Sequence, residues 1–185
     1  GGFIMASFSI LHIPTGHSET FTEFALTEYQ DNLSTKYNTT EVFGRMDPIT
    51  TYQGTTRKIS IGIRLQRPNK NQMSRLAAMQ YPTYTSGSNA LTISRPPLVR
   101  VTLGDLLTEQ LAALDGFSFA PQTGFSAADS PIIRCDGNKE VIDFKSVELK
   151  FNLSILHETE LGFDDQRGAI TSWLGDSSFG PGELF

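Results

Sequence analysis

The sequence predicts a mainly β (α+β) fold, an antiparallel β-sandwich or barrel with one short helix. Two long segments, 58–66 and 144–157, alternate apolar and polar residues, which is typical of a strand with one buried face. The chain also contains 13 phenylalanines, a residue enriched in strands. Because two long amphipathic strands must cover each other's apolar faces or share a cover, we expect an antiparallel sandwich or barrel.

The first of these segments is the strand around which we expect the fold to be organised. Its apolar residues occupy every second position, and three of the four are β-branched, as strands prefer: Ile59, Ile61, Ile63 and Leu65. The second segment repeats the pattern with Val147, Leu149, Phe151, Leu153 and Ile155. Both segments therefore predict strands with one dry face and one wet face.

One helix is predicted between the two strands. Asn69 or Asn71 can cap a helix that runs to about residue 80, and Tyr81-Pro82 ends it. Apolar residues recur on one face of this segment, including Met73 and Leu76. We expect that face to pack on the sheet.

The remaining segments give shorter elements. Predicted strands cover part of 6–13, then 20–30, 90–93, 98–103 and 117–119, whereas 106–114 fits either a strand or a helical turn. Predicted turns or loops cover 31–40, the first half of 43–66, Asp115-Gly116 and 121–131. We therefore predict one domain over residues 1–162, followed by an acidic, Gly-rich C-terminal arm over 163–185.

The C-terminal arm has a composition that cannot build a core of its own. Glycine and serine separate its apolar residues, and its acidic groups repel one another. Aromatic side chains are costly to leave in water, so we expect Trp173, Phe179 and Phe185 to dock onto a neighbouring molecule.

Composition excludes several classes of protein. A net charge of −5 argues against a dedicated nucleic-acid binder, which would carry a basic stripe. No apolar run is long enough for a membrane-spanning helix, so no membrane insertion is expected. The single cysteine, Cys135, cannot form an internal disulfide.

Catalytic and metal-binding patterns are missing from the sequence. The three histidines, His12, His17 and His157, do not have the short paired spacings of zinc ligands. No nucleophile elbow, phosphate-binding loop or dinucleotide-binding motif occurs. Arg134 beside Cys135 could activate the thiol, but a structural cysteine is the simpler interpretation. We therefore expect no catalytic residue, no metal site and no cofactor.

Charged residues flank the segment that precedes the central strand. The charges of Arg45, Asp47 and Arg57 alternate in sign within an otherwise uncharged stretch. They are either solvated loop residues that contribute little, or a clamp in which a carboxylate between two guanidiniums shapes a contact surface.

The order of these segments resembles a known family. A Phe-Gly-Arg-Met-Asp-Pro-Ile loop at 43–49 is followed by Thr-Thr-Arg and an alternating strand, then by a helix that ends in Tyr-Pro-x-Tyr. Pro-Pro-Leu-Val-Arg-Val at 96–101 and a long strand closing in Leu-His-Glu at 156–158 complete the pattern. Over about residues 20–162 the chain is similar to the small, tail-tube-like β-barrel proteins of contractile phage tail baseplates, the tube initiators and hub adaptors.

The resemblance implies a structural role in the virion, after synthesis in the host cytoplasm. Such proteins form rings, often hexamers, that link the tail tube to the hub and spike, and DNA only passes through the lumen. Partners would be further copies of the chain and other baseplate, tube and hub proteins. Interface candidates are Arg45, Asp47, Arg57, Pro96, Pro97, Trp173, Phe179 and Phe185.

Two other functions compete with this interpretation. A cell-wall glycan-binding module associated with a tail hub would need an aromatic platform, for which Tyr81, Tyr84 and Trp173 are the candidates. A hydrolase would need Cys135 or the acidic C-terminal residues as catalytic groups.

Overall fold

The computed structural model describes residues 7–84, 93–124, 130–158, 163–164 and 168–169. Within them the chain is mainly β, with antiparallel pairing throughout and one short helix, α1 (Lys70–Ala78). The strands are β1 (Phe8–His12), β2 (His17–Phe21), β3 (Phe24–Thr40), β4 (Ile49–Gln66), β5 (Thr83–Tyr84), β6 (Ile93–Arg95), β7 (Leu98–Leu103), β8 (Leu107–Pro121), β9 (Ile132–Asp136), β10 (Lys139–Asp143), β11 (Ser146–Ile155), β12 (Phe163–Asp164) and β13 (Gly168–Ala169).

One seven-stranded sheet carries the fold, in the order β2-β1-β7-β8-β11-β4-β3. At its centre β11 pairs with β4 from Ser146 opposite Gln66 to Ser154 opposite Lys58. This register brings the two apolar stripes together, because Phe151 lies opposite Ile61 on the same face. Both long strands predicted by alternation are thereby confirmed.

The sheet curls around its core but does not close into a barrel. Phe8 of β1 packs on Phe24 of β3 with ring centroids 6.3 Å apart, although four strands separate β1 from β3 in the sheet. In a flat sheet those strands would lie about 24 Å apart. The described strands nevertheless leave β2 and β3 as unjoined edges. The predicted mainly β, antiparallel fold with one short helix is therefore confirmed, but the sheet is open and curled and not closed into a barrel.

The helix α1 lies where the sequence predicts it. The Asn69 side chain accepts a hydrogen bond from the Asn71 backbone N–H at 3.0 Å, which makes Asn69 the N-cap. Met73, Leu76 and Met79 are buried in the same core as the central strands. Within the described ranges, no helix is long and apolar enough to cross a membrane.

Three predicted loops are wrong. The polar segment 31–40 is not a turn but the second half of β3, and the loop predicted before the central strand contains the first half of β4 from Ile49 onward. Asp115-Gly116 lies inside β8, which continues through the segment left open at 106–114. The register against β11 shifts at this point, so a bulge, not a turn, accommodates Asp115.

Candidate assembly surface

The longest exposed feature of the described fold is a hairpin that leaves the sheet. β11 pairs with β4 no further than Lys58, whereas β3 and β4 stay paired from Leu33 opposite Arg57 to Thr40 opposite Ile49. We call residues 33–57 the hairpin arm. Because no third strand supports it in the described structure, both faces and both edges of the arm meet solvent except near its base, where Arg57 is buried.

The arm carries many apolar side chains, and no part of the described chain packs over them. Every residue from 32 to 53 is exposed. The large apolar members of the arm are Leu33, Tyr37, Val42, Phe43, Met46, Ile49 and Tyr52. Clustered apolar exposure of this kind marks an interaction surface, whereas single exposed residues need no explanation.

The edges of the arm carry little protection against pairing. β3 is the last strand of the sheet, and residues 49–57 of β4 have no partner on the side away from β3 among the described strands. Natural edge strands are usually guarded by charges, prolines or bulges. Here Lys36 is the one charged residue in β3 between 33 and 40, and β4 has none between 49 and 56. One bulge interrupts the arm, where the register shifts between Lys36 and Tyr37.

The tip of the arm is a tight turn that presents two apolar side chains. The Arg45 backbone N–H donates to the Val42 carbonyl at 3.2 Å, and Gly44 has φ of 87°, the value that the third position of a type II turn requires. Phe43 and Met46 flank this glycine, and both are fully exposed, at 106% and 99%.

A buried ion pair anchors the base of the arm. The Nε atom of Arg57 lies 3.0 Å from both carboxylate oxygens of Asp31, and both side chains are nearly buried, at 5% and 10% exposure. Tyr29 lies two residues before Asp31 on the same face of β3. Burial raises the pKa of the Tyr29 phenol, and the Asp31 charge raises it further.

Between the base and the tip, side chains connect the two strands. Tyr37 and Tyr52 lie opposite each other in an edge-to-face arrangement, with ring centroids 6.0 Å apart. The Tyr52 hydroxyl is 2.8 Å from Thr55 Oγ1, which is 3.4 Å from Thr35 Oγ1. These contacts hold the two strands of the arm together as a formed hairpin.

The structure separates the three charged residues that sequence grouped together. Arg45 and Asp47 lie in the exposed tip region, whereas Arg57 lies in β4 at the base, with Asp31 as its partner. Eight strand steps between Ile49 and Arg57 correspond to about 27 Å, so the three side chains do not form a clamp within one subunit. Arg57 instead fixes β3 to β4. A clamp across a subunit boundary stays a prediction.

The other predicted interface residues are partly within the described structure. Pro96 is exposed and Pro97 partly so, directly before β7. Trp173, Phe179, Phe185 and the rest of the predicted C-terminal arm lie outside the described residues, apart from the short β12–β13 pairing. Tyr81 is exposed, but the side chains of Tyr84 and Trp173 lie outside the described part, which leaves the glycan platform a prediction.

Sequence reasoning missed Asp31, Tyr37 and Tyr52. All three lie in segments that read as polar turn or loop. Tyr37 and Tyr52 lie in the arm, which has no buried face there to impose a two-residue period. A hairpin signal was present in the runs of threonine on both sides of the Gly44 turn, since threonine favours strands.

Among the described residues, a cluster of titratable groups lies away from the arm and joins β2 to α1. Glu19 of β2 is buried, and it accepts hydrogen bonds from His17 Nε2 at 2.7 Å and from Arg75 of α1. Burial raises the pKa of Glu19, but these hydrogen bonds outweigh burial and leave the pKa below its usual value. Among the described residues, no group of three or more histidine, cysteine or acidic side chains could hold a metal ion.

Comparison of the chain with protein-family models and with curated proteins finds no match.

Proposed function

We propose that this chain is a structural protein of a contractile phage tail baseplate, one copy of a ring that links the tail tube to the hub and spike. The observation that carries the proposal is the hairpin arm, with two open edges and an exposed apolar surface. The sequence resemblance to tube-like baseplate proteins supplies the biological setting.

The open edges favour assembly with further copies of the same chain. A formed hairpin with lightly guarded edges is a template for strand pairing, and an arm that met no partner would be an aggregation hazard. The β3 edge of one copy can pair with the β4 edge of the next copy, because the two edges lie on opposite sides of one hairpin. Such a contact is heterologous, and it closes into a ring if the rotation per copy permits.

The charge of the chain agrees with a conduit through which DNA only passes. A lumen lined by basic residues would hold phosphates by counterion release. The net charge of −5 and the largely uncharged edges of the arm avoid that retention.

A shortened arm tests this proposal. Thr35 lies directly opposite Thr55, so replacing residues 36–54 by Asn-Gly joins the strands through a two-residue loop that favours hairpins. We expect native mass measurement to show a ring, a hexamer in the simplest case, for the unaltered chain and a folded monomer for the shortened chain.

The matched control is Tyr81→Ser, which removes an exposed aromatic residue outside the arm. This variant should assemble like the unaltered chain. The proposal fails if the shortened chain still forms the same ring, or if the unaltered chain stays a monomer at every concentration.

A further inference from the structure

Two histidines face each other at the turn end of the β1–β2 hairpin. His12 ends β1 and His17 begins β2, and the strand register places them directly opposite each other. Between them the Gly16 backbone N–H donates to the His12 carbonyl at 2.9 Å, which closes the turn. Residues directly opposite in an antiparallel pair share one face of the sheet, with Cβ atoms about 4.5–5.5 Å apart. The two imidazoles are therefore neighbours, and a charge on one acts on the other.

His17 has a partner for a positive charge. Its Nε2 atom lies 2.7 Å from Oε1 of Glu19, whose side chain is buried. The Arg75 guanidinium of α1 donates to the same carboxylate, so Glu19 also ties β2 to the helix. The His17 side chain is itself 46% exposed, and solvent reaches it as well. The closed hairpin therefore accommodates a proton on His17.

His12 has no such partner. It is buried, at 5% exposure, with Nδ1 2.9 Å from Thr15 Oγ1. Its Nε2 atom is also buried and has no hydrogen-bond partner among the described residues. A charged imidazole donates from both ring nitrogens, so a proton on His12 would leave a buried N–H without an acceptor. The closed hairpin therefore opposes a charge on this histidine.

The other groups around His12 do not offset that cost. β2 contributes His17 and Glu19 and α1 contributes Arg75, whereas β7 places the apolar Val99 opposite His12. The Glu19 carboxylate already bonds to both His17 and Arg75. Burial lowers the pKa of His12, and the charge of His17 lowers it further. One proton on the histidine pair is compatible with the closed hairpin, and a second is not.

We infer that the β1–β2 hairpin, residues 8–21, is a flap that stays closed while His12 and His17 together hold at most one proton and opens from its turn end when they hold two. The other end is anchored, because Phe21 stacks on Phe8 in the core with ring centroids 5.9 Å apart. Among the described strands β2 pairs with β1 alone, so its release leaves the rest of the sheet intact. Opening frees the edge of β1 near the turn, which then becomes a template for strand pairing.

The direction of the pH effect follows from where His12 binds its proton. Opening brings His12 into water, where its ordinary pKa is 6.5, whereas burial in the closed hairpin lowers that pKa. The open form therefore binds the proton more readily than the closed form. Below pH 6.5 the ratio of open to closed hairpin rises by up to about tenfold per pH unit, as long as His12 stays neutral in the closed form. The flap is thus closed in neutral solution and opens in mild acid, whether or not the chain forms a ring.

Hydrogen–deuterium exchange of the full chain, followed by mass spectrometry, tests the flap. Exchange is measured at about pH 7.5 and about pH 5.5 and corrected for the intrinsic pH dependence of amide exchange. Both values lie above the ordinary pKa of 4.5 for Glu19, whose own pKa is lower still, so Glu19 stays ionised. We expect protection of residues 8–21 to fall about tenfold at the lower pH, and protection of β11 to stay unchanged. No fall in the hairpin, or an equal fall in β11, overturns the inference.

Three variants assign the effect to the facing pair. His12→Asn keeps a polar group beside Thr15 but binds no proton, so its hairpin should be equally protected at both pH values. His17→Gln keeps a donor for Glu19 without a charge, so its loss of protection should be smaller than that of the unaltered chain. His17 is exposed, and this variant should fold even if His12→Asn does not. A loss as large as that of the unaltered chain in either variant overturns the inference. His157→Gln, which removes an exposed histidine outside the hairpin, is the control and should match the unaltered chain.

Discussion

Arg57 and Asp31 form a buried ion pair at the point where the hairpin arm leaves the sheet. Arg57 Nε lies 3.0 Å from both Asp31 oxygens, and Nη2 lies 2.5 Å from Oδ2. β11 ends its pairing with β4 one residue away, at Lys58. The ion pair therefore holds β3 against β4 at the point where β11 no longer pairs with β4.

Removal of one partner should be costly. Asp31→Ala leaves a guanidinium nearly buried without its carboxylate, and breaking such a pair costs about 3–5 kcal/mol. We expect this loss in the free energy of unfolding measured with urea. Replacing both residues, by Asp31→Leu with Arg57→Met, should recover most of it because no unpaired charge remains.

The control for this prediction is an exposed pair. Arg100 Nη2 and Glu158 Oε1 are 2.7 Å apart, but both side chains are partly exposed to solvent, so Glu158→Ala should lower the free energy of unfolding far less than Asp31→Ala. If Asp31→Ala costs no more than Glu158→Ala, the Arg57–Asp31 pair does not anchor the arm.

Gly62 is required by a close approach of the backbone. A Cβ at this position would lie 2.8 Å from Thr27 Oγ1 and 3.0 Å from Glu28 Cβ, where β3 shifts its register against β4. Gly62→Ala should therefore destabilise the fold by about 1–3 kcal/mol in thermal or urea unfolding.

Gly54 is the matched control for this substitution because it lies in the same strand. A Cβ on Gly54 meets no atom within 4 Å, so Gly54→Ala should leave stability unchanged or slightly higher. Equal effects of the two substitutions would mean that β3 does not crowd Gly62.

The parts of the fold that sequence predicts are those with one face on the core. β4 from Ile59 onward and β11 alternate because their apolar face lies on the core and the other does not, and α1 has the cap and stripe of a surface helix. Gly62 falls on the predicted wet face yet is buried, because the bulge in β3 covers it.

The candidate site was only partly predictable from sequence, because most of the hairpin arm has no face on the core. The loop at Phe43–Asp47 draws attention through its charges and glycine, and it is indeed the tip of the arm. The arm itself has solvent on both faces, so no period marks β3 beyond Asp31. The partner of Arg57 could not be found without the strand register that brings β3 to β4.

Acid should destabilise the contact between β2 and α1. The pKa of Glu19 is lowered because the Arg75 and His17 hydrogen bonds overcome the effect of burial. A depressed carboxyl pKa stabilises the fold above the ordinary value of 4.5 and loses that stabilisation as pH falls below it. We expect the melting temperature to drop below pH 4.5, and to drop less steeply in Glu19→Gln. An identical pH profile for Glu19→Gln would remove Glu19 as the cause.

His12 should cause a separate loss of stability on acidification, one that begins at a higher pH than the loss caused by Glu19. It is buried with Nδ1 2.9 Å from Thr15 Oγ1, and burial lowers its pKa, with a smaller effect from His17. A histidine held neutral in the fold stabilises fully above its ordinary pKa of 6.5 and progressively less below it. His12→Asn should flatten the melting temperature between pH 6.5 and 5, even if its stability is lower throughout. A slope as steep as that of the unaltered chain would contradict this role.

Electron microscopy of the purified full chain in negative stain tests the proposed ring most directly. We predict closed rings of a single size with an open centre, which disappear when residues 36–54 are replaced by Asn-Gly. Monomers, irregular aggregates or open filaments in place of closed rings would contradict the account.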